Sequence, residues 1–313
     1  MHSEALVIGG GIIGCSIAWR LAQKGLRVKV VDAGRIGGES SWAGAGMLAP
    51  GGEIDNNDSP WARWSVESLG LYPGFCDELK AESGIEIDFA VTGAREYGDM
   101  LRLTQRADAQ RQIGIASQVE SDHIAYPDDA VVNPRDVVAA LREACVRRGV
   151  EFVENAPVRS IPSSDGCVVL AAGAWTSELV PAAPAAFPVK GHLIGYWMDP
   201  GVIGPIYRRG HHYILQRKSG FVIAGATTEH VGFDRTVDPI TVEQLHRETR
   251  LVVGNRLPAA PNEAWIGLRP GAHGDPIVQQ HTSRVWLAYG HYRNGILNAP
   301  ITARMVCEGI TTA

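Results

Sequence analysis

A glycine-rich turn near the start of the chain, with the sequence GGGIIG at residues 9–14, limits the possible fold more than any other feature. Residues 5–8 before it form a short apolar run, and apolar residues recur at helical spacing after it until Gly25. Residues 28–31 then predict another strand. This order of strand, glycine turn, helix and strand is a βαβ unit, and it predicts a Rossmann-like domain.

The same unit predicts how a dinucleotide would be held. Gly9, Gly11 and Gly14 permit a tight turn and a close backbone approach to a pyrophosphate at the start of the helix. Asp32 follows the second strand, 18 residues after Gly14, where an acidic side chain accepts hydrogen bonds from an adenosine ribose. The alternative for Asp32 is a solvated strand end.

Length and composition indicate an ordinary globular enzyme. The 313 residues favour two domains, and the formal charge of -5, with no long run of one sign, gives no reason to expect nucleic acid as a partner. Five widely spaced cysteines fit neither a disulfide framework nor a metal site, so no metal is predicted. Residues 1–4 run directly into an apolar strand pattern, so we expect no leader. Prolines interrupt the weakly charged residues 167–189, so we expect no membrane helix there and a cytoplasmic protein.

The remaining patterns divide the chain into two kinds of structure. Asn133 and Pro134 begin a helix, and strands at residues 150–153, 168–172 and 285–289 extend the Rossmann-like sheet. The other runs are β-rich and alternating. We therefore predict a discontinuous nucleotide-binding domain of residues 1–84, 131–181 and 263–313, and a mostly antiparallel substrate domain of residues 85–130 and 182–262.

Two arginines in uncharged surroundings indicate a site for an anion. No Asp or Glu lies within five residues of Arg269, in GLRPG, or of Arg293, in GHYRNGI. A guanidinium among apolar neighbours needs an anion, and its planar fork fits a carboxylate. Tyr213 could present its phenol to the same carboxylate. The alternatives are ion pairs with distant acids for the arginines and a half-buried strand position for the tyrosine.

The choice between NAD and FAD depends on two other segments. Residues 38–48 are small, so Ser40 and Ser41 can donate to an extended cofactor while its backbone approaches Ala45 and Gly46. The GHYRNGI segment near the end of the chain favours a flavin over a nicotinamide. We therefore predict FAD.

At these motifs the sequence resembles the glycine oxidases of thiamine biosynthesis, in the D-amino acid oxidase and sarcosine oxidase superfamily. The resemblance spans nearly the whole chain and rests on GGGIIG, GAGML, YILQRKSG, GATTEHVGFD, GLRPG and GHYRNGI. It implies an α/β fold, in which a Rossmann-like FAD-binding domain is joined to a mostly antiparallel β substrate domain.

The resemblance also implies roles for individual residues. Arg269 would clamp the substrate carboxylate with help from Tyr213 and Arg293, while His211 and Met47 would line the active site. The FAD is expected to be noncovalent, with Cys307 a packing residue. The cofactor-contacting positions are Ile12, Ile13, Asp32, Ala33, Ser40, Ser41, Ala45, Gly46, Met47, Val158, His291, Tyr292, Arg293, Asn294, Gly295, Ile296 and Leu297.

The implied reaction is oxidation of glycine, or a similar small amino acid, to glyoxylate and ammonia by hydride transfer to the flavin, which oxygen reoxidises to give hydrogen peroxide. Sarcosine or a small D-amino acid, an acceptor other than oxygen, and a flavin-holding subunit without turnover are the alternatives, and a homo-oligomer stays open. The chain departs from the family in two shortened segments, between Val158 and Val168 and before Tyr126. Thr228 replaces a methionine of some relatives, which could change the pocket's size preference.

Overall fold

Three β-sheets and the helices that cover them make up the part of the chain described by the computed structural model, residues 4–54, 57–162 and 166–312. The strands are β1 Glu4–Ile8, β2 Arg27–Val31, β3 Met47–Leu48, β4 Phe89–Val91, β5 Ala94–Tyr97, β6 Gln118–Val119, β7 Ile124–Tyr126, β8 Ala130–Val132, β9 Glu151–Val153, β10 Cys167–Leu170, β11 Ala186–Trp197, β12 Ile206–Arg209, β13 His212–Gln216, β14 Phe221–Gly225, β15 Glu263–Ala272, β16 Ile277–Thr282 and β17 Val285–Tyr289. The helices are α1 Ile12–Gln23, α2 Ser40–Ala43, α3 Pro50–Glu53, α4 Pro60–Ser83, α5 Met100–Arg111, α6 Pro134–Arg147, α7 Thr176–Leu179, α8 Pro239–Val253 and α9 Ala299–Thr311.

The first sheet has the order β16-β17-β10-β1-β2-β9 and is parallel except at its β16–β17 edge. Helix α1 joins β1 to β2 and packs against α6 and α9, so that the fully buried Trp19 lies in the main core. Asn133 caps α6 by accepting a hydrogen bond from the Arg135 amide, as the sequence predicts. The expected Rossmann-like sheet is confirmed, together with the strands that were expected to extend it.

The second sheet has the order β15-β11-β14-β13-β12-β5-β7-β6 and is antiparallel except where β5 pairs with β12. Helix α8 covers part of it through Leu245 and Val253. The strand β15 belongs to this sheet, because it pairs with β11 along its whole length. The sequence division placed residues 263–272 in the nucleotide-binding domain, so at this strand the sheets divide the chain differently.

A small third sheet has the order β3-β8-β4. Its strands lie in sequence between strands of the first sheet and strands of the second. It fixes the predicted small-residue segment, because the Val132 amide donates to the Gly46 carbonyl at 2.9 Å. Gly46 has φ +89°, and a side chain there would lie 1.8 Å from the Val132 carbonyl oxygen. Glycine is therefore required at this crossing.

Two further expectations concern the chain as a whole. In the part of the chain that the structure describes, no helix combines the length and apolar character needed to cross a membrane. All five cysteines are free thiols, and Cys307 packs into the core from α9, as expected for a packing residue. Part of the shortened segment between Val158 and Val168, residues 163–165, lies outside the described residues.

Candidate active site

The first glycine turn follows β1 and brings three strands close together. The Gly9 amide donates to the Val31 carbonyl at 2.8 Å, and a side chain at Gly9 would lie 2.3 Å from the Ala171 carbonyl oxygen. At Gly14, in the first turn of α1, a side chain would meet the Gly9 carbonyl oxygen at 1.9 Å. The glycines are therefore needed for close packing of the turn, which exposes backbone at the start of α1 to a neighbouring cavity.

Asp32 lies directly after β2 and is held by the turn itself. Its Oδ2 accepts from the Gly10 amide at 2.7 Å, and its Oδ1 accepts from the Gly34 amide at 2.7 Å. A carboxylate oxygen can accept more than one hydrogen bond, so both oxygens keep a free position. The side chain lines the cavity, which suits the predicted contact with a ribose.

The small-residue segment connects the two sheets through its serines. Ser41 Oγ accepts from the Ile12 amide at 2.9 Å, which joins α2 to the start of α1. Ser40 Oγ donates to the Leu268 carbonyl, next to Arg269 on β15. The donation of these serines to a cofactor stays a prediction. In the structure they orient the segment that forms one wall of the cavity, and Ser40 gives its hydroxyl proton to Leu268.

The second glycine-rich segment, residues 290–296, forms another wall. Gly290 and Tyr292 both have positive φ, and the Tyr292 amide donates to the Pro270 carbonyl at 2.8 Å. His291 is buried and its Nε2 lies 2.9 Å from Thr302 Oγ1. Burial lowers the pKa of His291 to about 3, so the ring is uncharged at neutral pH.

A cavity of about 620 Å³ runs between these segments. It is lined by most of the predicted residues: Gly9, Gly11, Ile12, Ile13, Asp32, Ala33, Ser40, Ser41, Ala45, Gly46, Met47, Val158, Tyr213, Arg269, His291, Tyr292, Arg293, Gly295 and Ile296.

Four predicted residues do not line this cavity. Gly14 packs on Gly9 inside the turn, Leu297 is fully buried in the main core, and Asn294 lies outside the lining. His211 is exposed, lies outside the lining and directly precedes β13. The role of His211 in lining the active site therefore stays a prediction.

Arg269 projects from β15 into the cavity as a cation without a carboxylate partner among the described residues. Its Nη1 donates to the backbone carbonyls of Thr227 at 3.0 Å and Lys190 at 3.4 Å. A side chain at Gly191 would lie 2.3 Å from the same nitrogen, so glycine leaves the room that the guanidinium occupies. Burial lowers the pKa of Arg269, and nearby Arg293 lowers it further. This arrangement favours binding of an anion.

Arg293 differs from Arg269, because here the structure shows the alternative, an ion pair with a distant acid. Its Nε lies 2.6 Å from Glu53 Oε2, and its Nη2 donates to Glu53 Oε1 at 2.8 Å. Burial alone would lower the pKa of Arg293, but the Glu53 carboxylate reverses the direction and raises it. Arg293 is therefore a neutralised neighbour of the anion site, and its assistance to a bound carboxylate stays a prediction.

Glu53 is the main residue that the sequence interpretation missed. It comes from α3, 240 residues before Arg293, and lines the cavity. No local pattern marks it, since it follows two glycines in a short helix. Other cavity residues without a sequence signal include Gly173, Trp175, Gly191 and Arg235.

Tyr213 and Met47 complete the part of the cavity near Arg269. Tyr213 lies on β13, is buried, and lines the cavity together with Arg269 and Arg293. Burial raises the pKa of Tyr213, which keeps the phenol protonated and able to donate. Half-buried Met47 contributes an apolar surface.

The residues present fit FAD. The backbone of the first glycine turn, the Asp32 carboxylate and the small residues 43–46 line one continuous cavity, together with the half-buried cation Arg269. Gly9 and Gly46 occupy positions where a side chain would strike backbone within 2.3 Å. Such a long, mostly apolar cavity with few polar groups is typical of a cofactor site.

Comparisons with known proteins support FAD as the cofactor of this cavity. The model of the family described as FAD dependent oxidoreductase matches residues 4–309. A glycine oxidase of Bacillus subtilis is 31% identical over 98% of this chain and 92% of its own length. A bifunctional protein ThiO/ThiG of Synechocystis is 31% identical over 98% of this chain and 51% of its own length. The crystal structure of glycine oxidase from Geobacillus kaustophilus superposes with a TM-score of 0.91 at 26% identity, covering 99% of this chain and 95% of that one. The chain belongs to the family of FAD-dependent oxidoreductases.

Proposed function

We propose that this protein oxidises glycine, or an amino acid of similar size, to glyoxylate and ammonia. The observation that carries the proposal is Arg269, a half-buried cation in the cavity with no acidic partner among the described residues. A substrate carboxylate would supply the missing anion through a bidentate contact. The glycine oxidases to which the chain is about 30% identical over nearly its full length support the choice of substrate.

The surrounding residues would bind and orient this substrate. Arg269 holds the carboxylate, and the protonated Tyr213 donates a hydrogen bond to it. Arg293 and Glu53 neutralise each other, so they leave one net positive charge at the site for one carboxylate. Glu53 is the acidic side chain in the lining that could act as a base on this substrate, but Arg293 binds both of its oxygens. Catalysis would therefore rest on positioning and electrostatics more than on a free base.

The overall reaction balances with water and oxygen. Bound FAD supplies the chemistry of a two-electron acceptor, and we propose that oxygen is its oxidant. Glycine, water and oxygen then give glyoxylate, ammonia and hydrogen peroxide. Sarcosine, a small D-amino acid, and electron transfer to another acceptor are the alternatives.

The test is the visible spectrum of the purified protein. Glycine added without air should bleach the yellow flavin, and air should restore it. Glycinamide, which lacks the carboxylate but keeps the amine, is the matched control and should leave the spectrum unchanged at the same concentration. Bleaching that air does not reverse would identify a dehydrogenase. Bleaching by sarcosine or D-alanine alone would contradict glycine as the substrate.

We further propose that the chain divides into the two predicted domains, with residues 263–272 moved to the substrate domain. The pairing of β15 with β11 supports this change. A role in thiamine biosynthesis is proposed from the resemblance and from the relative named bifunctional protein ThiO/ThiG. A cytoplasmic location is proposed because all five cysteines are free thiols, as is usual in a reducing compartment.

A further inference from the structure

The short helix α3 carries Glu53 into the cavity, and buried groups of the second sheet hold this helix from behind. We infer that Arg208 is a positioning residue, which fixes α3 through Gly52 and thereby sets the ion pair between Glu53 and Arg293. The consequence for substrate binding rests on the proposed function, whereas the positioning itself does not.

The contact between Arg208 and α3 is direct. Arg208 lies on β12 and is only 4% exposed. A side chain at Gly52 would lie 2.1 Å from its Cζ and 2.3 Å from its Nη1, so the guanidinium packs directly against the Gly52 backbone. Behind it, Nη1 donates to Asp129 Oδ2 at 3.0 Å. Asp129 is buried and therefore gives the guanidinium a fixed partner.

Neighbouring residues hold α3 on the same side. Gln110 Nε2 donates to the Gly51 carbonyl at 2.7 Å and to the Ile54 carbonyl at 3.1 Å. The Tyr126 hydroxyl donates to Gln110 Oε1 at 3.2 Å, and its ring lies 2.3 Å from where a side chain at Gly51 would begin. Because Gly51 and Gly52 have no side chains, α3 can pack closely against Tyr126 and Arg208.

Stability alone does not explain the choice of arginine. Nε and Nη2 of Arg208 are buried and make no hydrogen bond within the described part of the chain, although Nη2 lies 3.7 Å from Glu96 Oε2. Incomplete pairing of a buried guanidinium is costly, and an apolar residue of similar volume is often better for stability. The surrounding charges also connect this cluster to the active site: burial raises the pKa of Asp129 to about 7, and Glu53 contributes to the rise.

Gly52 offers a precise way to disturb this contact. Its φ is not in the left-handed region, so Gly52→Ala introduces no backbone strain and acts only through the new methyl group. In a crystal structure of the Gly52→Ala holoenzyme, we expect α3 to have moved and both Glu53–Arg293 distances, now 2.6 and 2.8 Å, to exceed 4 Å. Gly70→Ala is the matched control, because no heavy atom lies within 4 Å of the added carbon.

Acetate binding to the holoenzyme, followed through the flavin spectrum, gives a solution readout. Withdrawing Glu53 removes a negative charge near Arg269, so Gly52→Ala should bind acetate about 3- to 10-fold more tightly. Glu53→Gln should have the same effect. If Gly52 acts through Glu53, adding Gly52→Ala to Glu53→Gln changes acetate binding less than about 2-fold. Nonspecific damage would weaken binding instead.

An intact Glu53–Arg293 pair in Gly52→Ala, or additive effects of the two changes, would overturn the inference. If Gly52→Ala fails to fold, Arg208→Lys is the second variant, because it keeps a charge for Asp129 but removes the planar contact with Gly52. It should also tighten acetate binding. Unchanged acetate binding in Arg208→Lys would contradict the inference. If the wild-type holoenzyme does not bind acetate, the proposed function is contradicted. The crystal structure of Gly52→Ala would still test whether Gly52 positions Glu53.

Discussion

The two ends of the cavity differ in the groups that they offer to the proposed ligands. At the proposed nucleotide end, formed by Gly9, Gly11 and Asp32, backbone comes within van der Waals distance of other backbone, and the Asp32 carboxylate is held by two amides. At the proposed substrate end, the side chains of Arg269, Arg293 and Tyr213 line the cavity. The first end should therefore be sensitive to added volume, and the second to changes in charge.

The largest effect is expected from Gly9→Ala at the nucleotide end. The new methyl group would lie 2.3 Å from the Ala171 carbonyl oxygen in a residue with φ +106°, so the turn must open. We expect a loss of about 4 kcal/mol or more in FAD binding, seen as a nearly colourless purified protein.

Gly25→Ala is the control for Gly9→Ala, because Gly25 has φ +83° but no atom within 4 Å of an added side chain. It should lose about 1 kcal/mol of stability and keep its FAD. A fully yellow Gly9→Ala protein would show that close packing does not limit the nucleotide end.

Removing the charge at the substrate end should have the next largest effect. Arg269→Ala should lower kcat/KM for glycine by about 30- to 1000-fold, since truncating one partner of a buried charged pair typically costs 2–4 kcal/mol. The FAD should stay bound, because Arg269 lies beyond the nucleotide end. Arg269→Lys should be intermediate, since it keeps the charge without the planar fork. Arg250→Ala, on the exposed side of α8, is the control and should change nothing.

The two ends also differ in how far the sequence predicts them. The nucleotide end is formed within one βαβ unit, so its residues are close in sequence and their spacing reports their geometry. At the substrate end, Arg269 and Arg293 have equally uncharged neighbours in sequence. Only the fold separates them, because Glu53 reaches Arg293 across 240 residues. A local pattern cannot contain such a pair.

Two other differences have a similar origin. In sequence, β15 comes directly before β16 and β17 of the first sheet. It nevertheless pairs with β11, about 80 residues earlier in the chain. Alternation along a strand would put His211 on the same face as buried Tyr213, but β13 begins only at His212. His211 therefore turns out to solvent, which strand periodicity alone cannot indicate.

Buried His291, in the second glycine-rich segment, makes the fold sensitive to acid. Its pKa of about 3 lies below the ordinary value of 6.5 because the ring is buried. As the pH falls below 6.5, the unfolded chain binds a proton at this residue and the folded chain does not, so stability falls by about 1.4 kcal/mol per pH unit until pH approaches 3.

Thermal unfolding of the holoenzyme should therefore show a loss of about 2 kcal/mol from this residue between pH 7 and 5. His291→Gln cannot take up this proton and should show a correspondingly shallower decline over the same range. Equal declines in the two proteins would mean that His291 does not titrate as its burial implies.

The smallest effect is expected from Tyr213→Phe, which removes one hydroxyl from the substrate end and leaves the ring. A hydrogen bond from the Tyr213 phenol to the bound carboxylate contributes about 1 kcal/mol, so KM for glycine should rise about 5-fold with little change in kcat. Tyr207→Phe, on the neighbouring β12, is the matched control, because Tyr207 stacks on Tyr97 and does not line the cavity. A Tyr213→Phe protein that instead loses FAD would show that the two ends are not separate, since one hydroxyl would then serve both.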